Sequence, residues 1–419
     1  MKNFLLIAAI GTIGINIHAQ EPAGIIHPVK LGENVNVNFG GFVRIDYFIN
    51  SRKGTENVDG LFFMWPDAVN KDANGYDLSE KVNQNLSATP TRFSALFNGP
   101  YALGAKASAY FEFDFTGGNS NYLLFRQGWV KLDWDKSTLQ IGRTWHPLQG
   151  PVFPTTVSMN FESPFNVFCR GEQVRYTYMP GKFKLLAAVF LQSAQASFGP
   201  VGQSFSYMRN AMTPDLNLQL HFSNGGFTTG IMGEYKALLP RESTSYNKKP
   251  YYKTNENIQS YALAVFGQYK SGKFIVKGNA MFGQNLAEMA MQGGYARSSI
   301  DTITGHETYT TGNAFTSWIN VLYGEKVKVG IFGGYQKNLG FSDQLNVGDY
   351  TFYGRGEKIG SMMRISPSVS YYSGRMVFQL ETELTSTAYG TVDLLNKGKI
   401  KDTESVYNRR LILSVSYFF

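Results

Sequence analysis

The 419-residue chain contains a single cysteine, Cys169, and five histidines. One thiol excludes a disulfide framework and any cysteine-based zinc or iron–sulfur centre. Charged residues make up only 17%, against roughly 25% in ordinary soluble domains. Long apolar runs are also missing. Past the first twenty residues the clearest is Leu185 to Leu191, far short of the roughly 20 residues that a helical membrane span needs. A mean hydropathy of −0.21 agrees in excluding a polytopic helical membrane protein. No Gly-x-Ser-x-Gly elbow and no phosphate-binding glycine loop occurs, and no histidine has a partner at metal-ligand spacing along the chain. No catalytic residue, metal ligand or cofactor is therefore expected, and no enzymatic activity. The run Asn70-Lys71-Asp72-Ala73-Asn74-Gly75 has the opening of a calcium loop, but Lys81 stands where the closing acid belongs.

What is present is aromatic and glycine-rich: 44 Gly, 25 Tyr and 32 Phe, with 39 Lys plus Arg against 31 Asp plus Glu. That aromatic content is incompatible with disorder. Met1 and Lys2 precede an apolar stretch from Phe4 to Ile17 and a small residue at Ala19. This is the pattern of a secretory signal, residues 1–19, cleaved near Ala19/Gln20. Residues 20–34 are expected as a short periplasmic segment and 35–419 as the folded unit.

From there the hydrophobic period is two. Leu216, Leu218, Leu220 and Phe222 oppose Asp215, Asn217, Gln219 and His221. Val43, Ile45 and Tyr47 oppose Arg44 and Asp46, and Leu411, Leu413, Val415 and Tyr417 oppose Arg410, Ser414 and Ser416. Successive strand side chains point to opposite faces, so such segments have one apolar and one polar face. About sixteen segments of this kind, each about eight to fourteen residues, match the 9–11 residues of a transmembrane strand. In Tyr122–Asp133 and 138–145 the parity is unclear, because Arg126 and Arg143 fall on the apolar side; a bulge or a protein-covered face would explain either.

The connections alternate long and short. The long ones are 49–90, 146–171, 193–213, 237–257, 284–315, 337–357 and 385–407, and tight turns such as Met179-Pro180-Gly181-Lys182 separate them. Only Gly117-Gly118-Asn119-Ser120 breaks the rule by being short. Long extracellular loops alternating with short periplasmic turns belong to outer-membrane barrels. The expected fold is all-β: a transmembrane antiparallel β-barrel of about 16 strands, in the outer membrane of a Gram-negative bacterium.

Several stretches carry a more specific likeness. Gly40-Gly41-Phe42-Val43-Arg44-Ile45-Asp46-Tyr47-Phe48, Arg126-Gln127-Gly128-Trp129-Val130-Lys131-Leu132 and above all Gly142-Arg143-Thr144-Trp145-His146-Pro147 resemble DcaP-like outer-membrane porins, over roughly residues 40–150. The phosphate-selective porin O/P family is a near neighbour by the same cues. The resemblance implies a homotrimer of sixteen-stranded barrels passing small, often anionic, solutes. It also implies that Trp145 and His146 serve the subunit interface. Where the family carries a coiled-coil extension before its barrel, this sequence has only residues 20–34. The C-terminal Phe419, on the outward parity, is similar to the signal read by the barrel-insertion machinery.

A channel selects ions through the charges on its wall. Arg44, Arg92, Lys106, Arg175, Arg364 and Arg410 are the expected basic pore-lining residues; Asp46, Glu112 and Asp114 are the acidic ones. Arg44, Arg92 and Lys106 on consecutive strands, with Arg410 beside them on closure, form either a basic ladder or a set of neutralised pairs. Loop 146–171 holds four prolines and four phenylalanines. Such a loop is costly in water, and it is expected inside the barrel as a constriction, with Glu162 and Arg170 at the eyelet; a lid or a subunit contact is the alternative. The function expected is an outer-membrane porin for small hydrophilic solutes, with mild preference for anions such as small carboxylates or phosphate. The alternatives are a substrate-specific channel for sugars or cations, and a barrel-anchored adhesin or receptor. Outer-membrane lipid and lipopolysaccharide are expected partners; nucleic acid is not.

Overall fold

A computed structural model of the protein describes residues 29–31, 34–118, 122–246 and 250–419. The expected signal, and residues 20–34 apart from 29–31 and 34, lie outside the described residues. Val29–Leu31 folds back antiparallel on Val35–Val37.

Sixteen antiparallel strands close into one barrel. They are β1 Val35–Asn50, β2 Arg92–Ala102, β3 Ala105–Gly117, β4 Tyr122–Asp133, β5 Ser137–Trp145, β6 Arg170–Tyr178, β7 Phe183–Ser193 and β8 Asp215–Asn224. The second half comprises β9 Phe227–Leu238, β10 Ile258–Ser271, β11 Phe274–Gln284, β12 Glu307–Gly324, β13 Val327–Phe341, β14 Ile359–Ser373, β15 Met376–Asp393 and β16 Lys399–Phe418. Closure comes from β16 pairing with β1, from Phe42 opposite Phe418 to Asn50 opposite Arg410. A closed barrel leaves no unpaired strand edge to be desolvated in lipid. No described helix is long and apolar enough to cross a membrane.

Alternation becomes geometry along each wall strand. In β8, Leu216, Leu218 and Leu220 are exposed on the outer surface, while Asp215, Asn217, Gln219 and His221 are buried within. Tyr178, Tyr269, Tyr323, Tyr371 and Tyr417 are exposed near strand ends, where interfacial girdles form.

The strands run further than the alternation indicates. Residues 385–407, expected as a loop, are mostly the paired ends of β15 and β16. Residues 399–405 there are exposed almost throughout, and where both faces meet water nothing imposes a period of two. Likewise β12 starts at Glu307, inside the expected loop 284–315.

The two ambiguous strands resolve differently. On β4, Gln127 opposes Glu112 while Phe125 opposes Phe113. Arg126 is therefore the extra residue of a β-bulge, and its side chain turns inward and is buried. Arg143 stays outward and pairs across to Glu172 on β6, Nε to Oε1 2.8 Å. Beside it, Gly142 sits at φ 131°, and a Cβ there would lie 2.3 Å from the Gly128 carbonyl oxygen, so no other residue fits that position.

We expect Leu218→Arg, a charge on the outer surface near mid-strand, to destabilise the folded barrel by about 2–4 kcal/mol. Urea titration in lipid vesicles, followed by tryptophan fluorescence, measures it.

Candidate functional site: the lumen

Three of the long connecting segments fold back into the barrel. The largest follows β5, residues 146–169, and its backbone is bonded to the wall around much of the circumference. Arg44 Nη2 donates to the Val157 carbonyl at 2.6 Å. Glu381 accepts the N–H groups of Val157 and Ser158 at 2.8 and 3.1 Å. Asn320 accepts the N–H of Thr155, and Thr316 donates to the Phe165 carbonyl. Gln219 donates to the Pro147 carbonyl at 2.7 Å. These partners sit on β1 and β15, which flank β16, and on β12 and β8 further round the wall.

The second segment is the hairpin of Gly54–Asn57 and Phe62–Pro66. Arg364 Nη2 donates to the carbonyls of Phe63 and Met64, and Arg410 Nη2 to that of Leu61. The third is 285–292, where Phe168 N–H reaches the Met289 carbonyl and Arg355 the Ala287 carbonyl. Apolar residues fill the space between. Phe165, Leu148, Met64 and Met289 from the loops pack with Met232, Phe266, Met281, Trp318 and Phe332 from the wall in one buried cluster. Residues 146–169 are rich in proline and phenylalanine because they have an interior to occupy.

The expected pore-lining residues separate into two groups. Arg44, Arg92, Arg364 and Arg410 are each no more than 4% exposed, and each has a carboxylate. Arg44 Nε meets Asp46 Oδ1 at 2.8 Å. Arg92 lies 3.7 Å from both Glu112 and Asp114. The same two acids receive the bulge residue Arg126 more tightly, at 2.8 and 2.6 Å. Arg364 meets Glu162 at 3.1 Å, and Arg410 meets Glu383 at 3.5 Å. Arg170 is also buried and lies over the Trp145 ring, 4.5 Å from its centroid. Burial pushes the Glu162 carboxyl up from its ordinary range, with Arg364 pulling it down and Glu383 adding to the rise.

Lys106 and Arg175 belong to the second group. Lys106 is exposed near the β2–β3 turn, and Arg175 is partly exposed, donating to Gln173 and the Trp145 carbonyl. Further inward cations near the short turns are Lys184, Lys277 and Lys328, all partly exposed. Lys277 donates to the Phe153 carbonyl and Thr155 hydroxyl; Lys328 lies over Tyr372. Among the described residues no carboxylate lies within salt-bridge distance of Arg175, Lys184, Lys277 or Lys328.

Sequence reading did not foresee Arg126, whose bulge hides it from a period-two count, or the inward course of the first and 285–292 loops. The alternation of Leu61, Phe63 and Trp65 was the available signal for the first. Along the chain no histidine has a metal-spaced partner, but in space His146 comes beside Asp215 and Glu234.

No protein-family model matches the chain, and no curated relative does. Solved structures do. The outer membrane channel DcaP of Acinetobacter baumannii aligns with a TM-score of 0.67 at 15% identity, covering 94% of this chain and 99% of that one. The chain has the fold of an outer-membrane porin. OmpT, an outer membrane protein of Vibrio cholerae, aligns at TM-score 0.56 and 9% identity, over 94% and 100%, and has also been solved in a trimer form. An anion-selective porin from Comamonas acidovorans aligns at 0.53 and 11%, over 92% and 100%. At such identities the likeness is one of fold.

Removing one partner of a buried ion pair costs about 3–5 kcal/mol, because the other charge is left uncompensated. We expect that loss for Arg364→Leu, and partial recovery when Glu162→Gln is added. Thermal unfolding of the detergent-solubilised barrel, read by loss of its gel-mobility shift, separates the two variants.

Proposed function

We propose that the protein is an outer-membrane porin passing small hydrophilic solutes, with mild preference for small anions such as carboxylates or phosphate. The observation that carries the anion preference is the unequal pairing of charge in the lumen. Asp46, Glu112, Asp114 and Glu383 face arginines, and Glu381 faces two backbone N–H groups. Among the described residues Asp215 and Glu234, at the long-loop end of the lumen, have no cation within salt-bridge distance other than His146, whereas towards the short-turn end Arg175, Lys184, Lys277 and Lys328 have no acidic partner. A paired charge contributes little field to a passing ion, and an unpaired one on a low-dielectric wall contributes much. Lysine and guanidinium groups suit carboxylate and phosphate oxygens. In this reading Lys106 and Arg175 face solute, and the buried arginines hold the inserted loops. Loop 146–171 is the constriction, with Glu162 and Arg170 buried within its packing. The filled extracellular half of the lumen favours a narrow, selective passage over a wide one. The fold shared with a porin solved as a trimer supports a homotrimer in a Gram-negative outer membrane; Phe419 is the residue by which the barrel-insertion machinery would recognise each barrel.

Reversal potential in a planar bilayer under a KCl gradient tests this reading. The wild-type channel should reverse on the anion side, and Lys184→Gln with Lys328→Gln should move it towards the cation side with little change in folding. Cation-side reversal of the wild type would contradict the reading, and a folded barrel with no conductance would turn attention to its loops.

A further inference from the structure

At the extracellular end of the lumen, where the 146–169 segment leaves the wall, three side chains converge that the ion-pair network does not use. His146 directly follows β5, Asp215 opens β8, and Glu234 lies on β9. Each offers a ligand atom, and these atoms lie within 4.8 Å of one another. All three residues are buried, Asp215 completely. Both carboxylate oxygens of Asp215 and Nε2 of His146 have no hydrogen-bond partner. His146 Nε2 stands 3.6 Å from Glu234 Oε2, and Asn217 donates to that same carboxylate oxygen at 3.2 Å.

Besides Asp215 and Glu234, Glu288 enters this region from the third loop, held by Lys236 at 3.0 Å and by the Ser197 hydroxyl. Lys236 also donates to the Asn285 carbonyl, so its ammonium is turned towards that loop. Three carboxylates, when ionised, leave two negative charges beyond the one ammonium that faces them. Buried charge is retained only when it is paired or bound to a metal. We propose that His146, Asp215 and Glu234 form a binding site for one divalent cation. An imidazole with two carboxylates suits a first-row ion such as Zn2+ or Mn2+ better than the all-oxygen shell of Ca2+. Coordination through Nε2 moves the ring proton to Nδ1 and gives up the 3.3 Å contact that Leu148 N–H makes there. Water completes the shell. Because His146 is the first residue of the inserted segment, the ion ties that segment to β8 and β9. This proposal does not depend on the solute preference.

The test uses the full chain in detergent, stripped with a chelator and dialysed, then titrated calorimetrically with Zn2+. Wild type should take up one Zn2+ per chain, and His306→Ala, which removes an exposed loop histidine, should leave that unchanged. Asp215→Asn and His146→Gln should each weaken binding by roughly tenfold or more, with the gel-mobility shift of the folded barrel intact. If one of these variants fails to fold, Glu234→Gln serves in its place. No Zn2+ uptake by folded wild type, or uptake that survives these substitutions, overturns the proposal, as does Ca2+ binding tighter than Zn2+ and indifferent to His146→Gln.

Discussion

An ionised group removed from water must meet an opposite charge, a fixed dipole or a metal, and the interior of this barrel is organised around that requirement. The alternating strands send lipid-compatible residues outward and leave polar and charged ones inside. Arg44 and Arg410 satisfy themselves twice, with a wall carboxylate and with a carbonyl of an inserted loop, and Arg364 does so with the loop carboxylate Glu162 and two loop carbonyls. Glu381 does the converse, accepting two loop N–H groups. Wall charge and loop position are thus one arrangement: a loop withdrawn from the lumen would strip both of their partners.

That arrangement also divides the inward charge of the wall into two sets. The charges nearest the inserted segments are consumed in holding them. Towards the short-turn end Arg175, Lys184 and Lys328 have no carboxylate within salt-bridge distance among the described residues, and Lys277 is engaged by Phe153 and Thr155 of the inserted segment. Net charge alone is uninformative here, since most of the inward charge is compensated locally and what matters is which groups are left over.

The closed sixteen-stranded barrel was legible because lipid on one side and polar lumen on the other imposes a period of two on every strand that crosses. Where that asymmetry ends, the signal ends. Residues 399–405 are strand with water around them, and their sequence shows no alternation. A bulge inverts the period, which is why Arg126 reads as outward while its side chain binds Glu112 and Asp114 inside. The composition of 146–171 identified a segment that needs an interior, but not its partners, because a loop's contacts are set by the geometry of distant strands. His146, Asp215 and Glu234 are separated along the chain and meet only through closure of the wall.

The central claim is that segment 146–169 is held against the wall inside the barrel. Double electron–electron resonance tests it directly, with spin labels at Pro151→Cys and at outward-facing Ile231→Cys in a Cys169→Ser background. A single narrow distance distribution in lipid vesicles is the expected result. A broad or bimodal distribution would contradict the claim, showing a loop that leaves the lumen despite its buried partners.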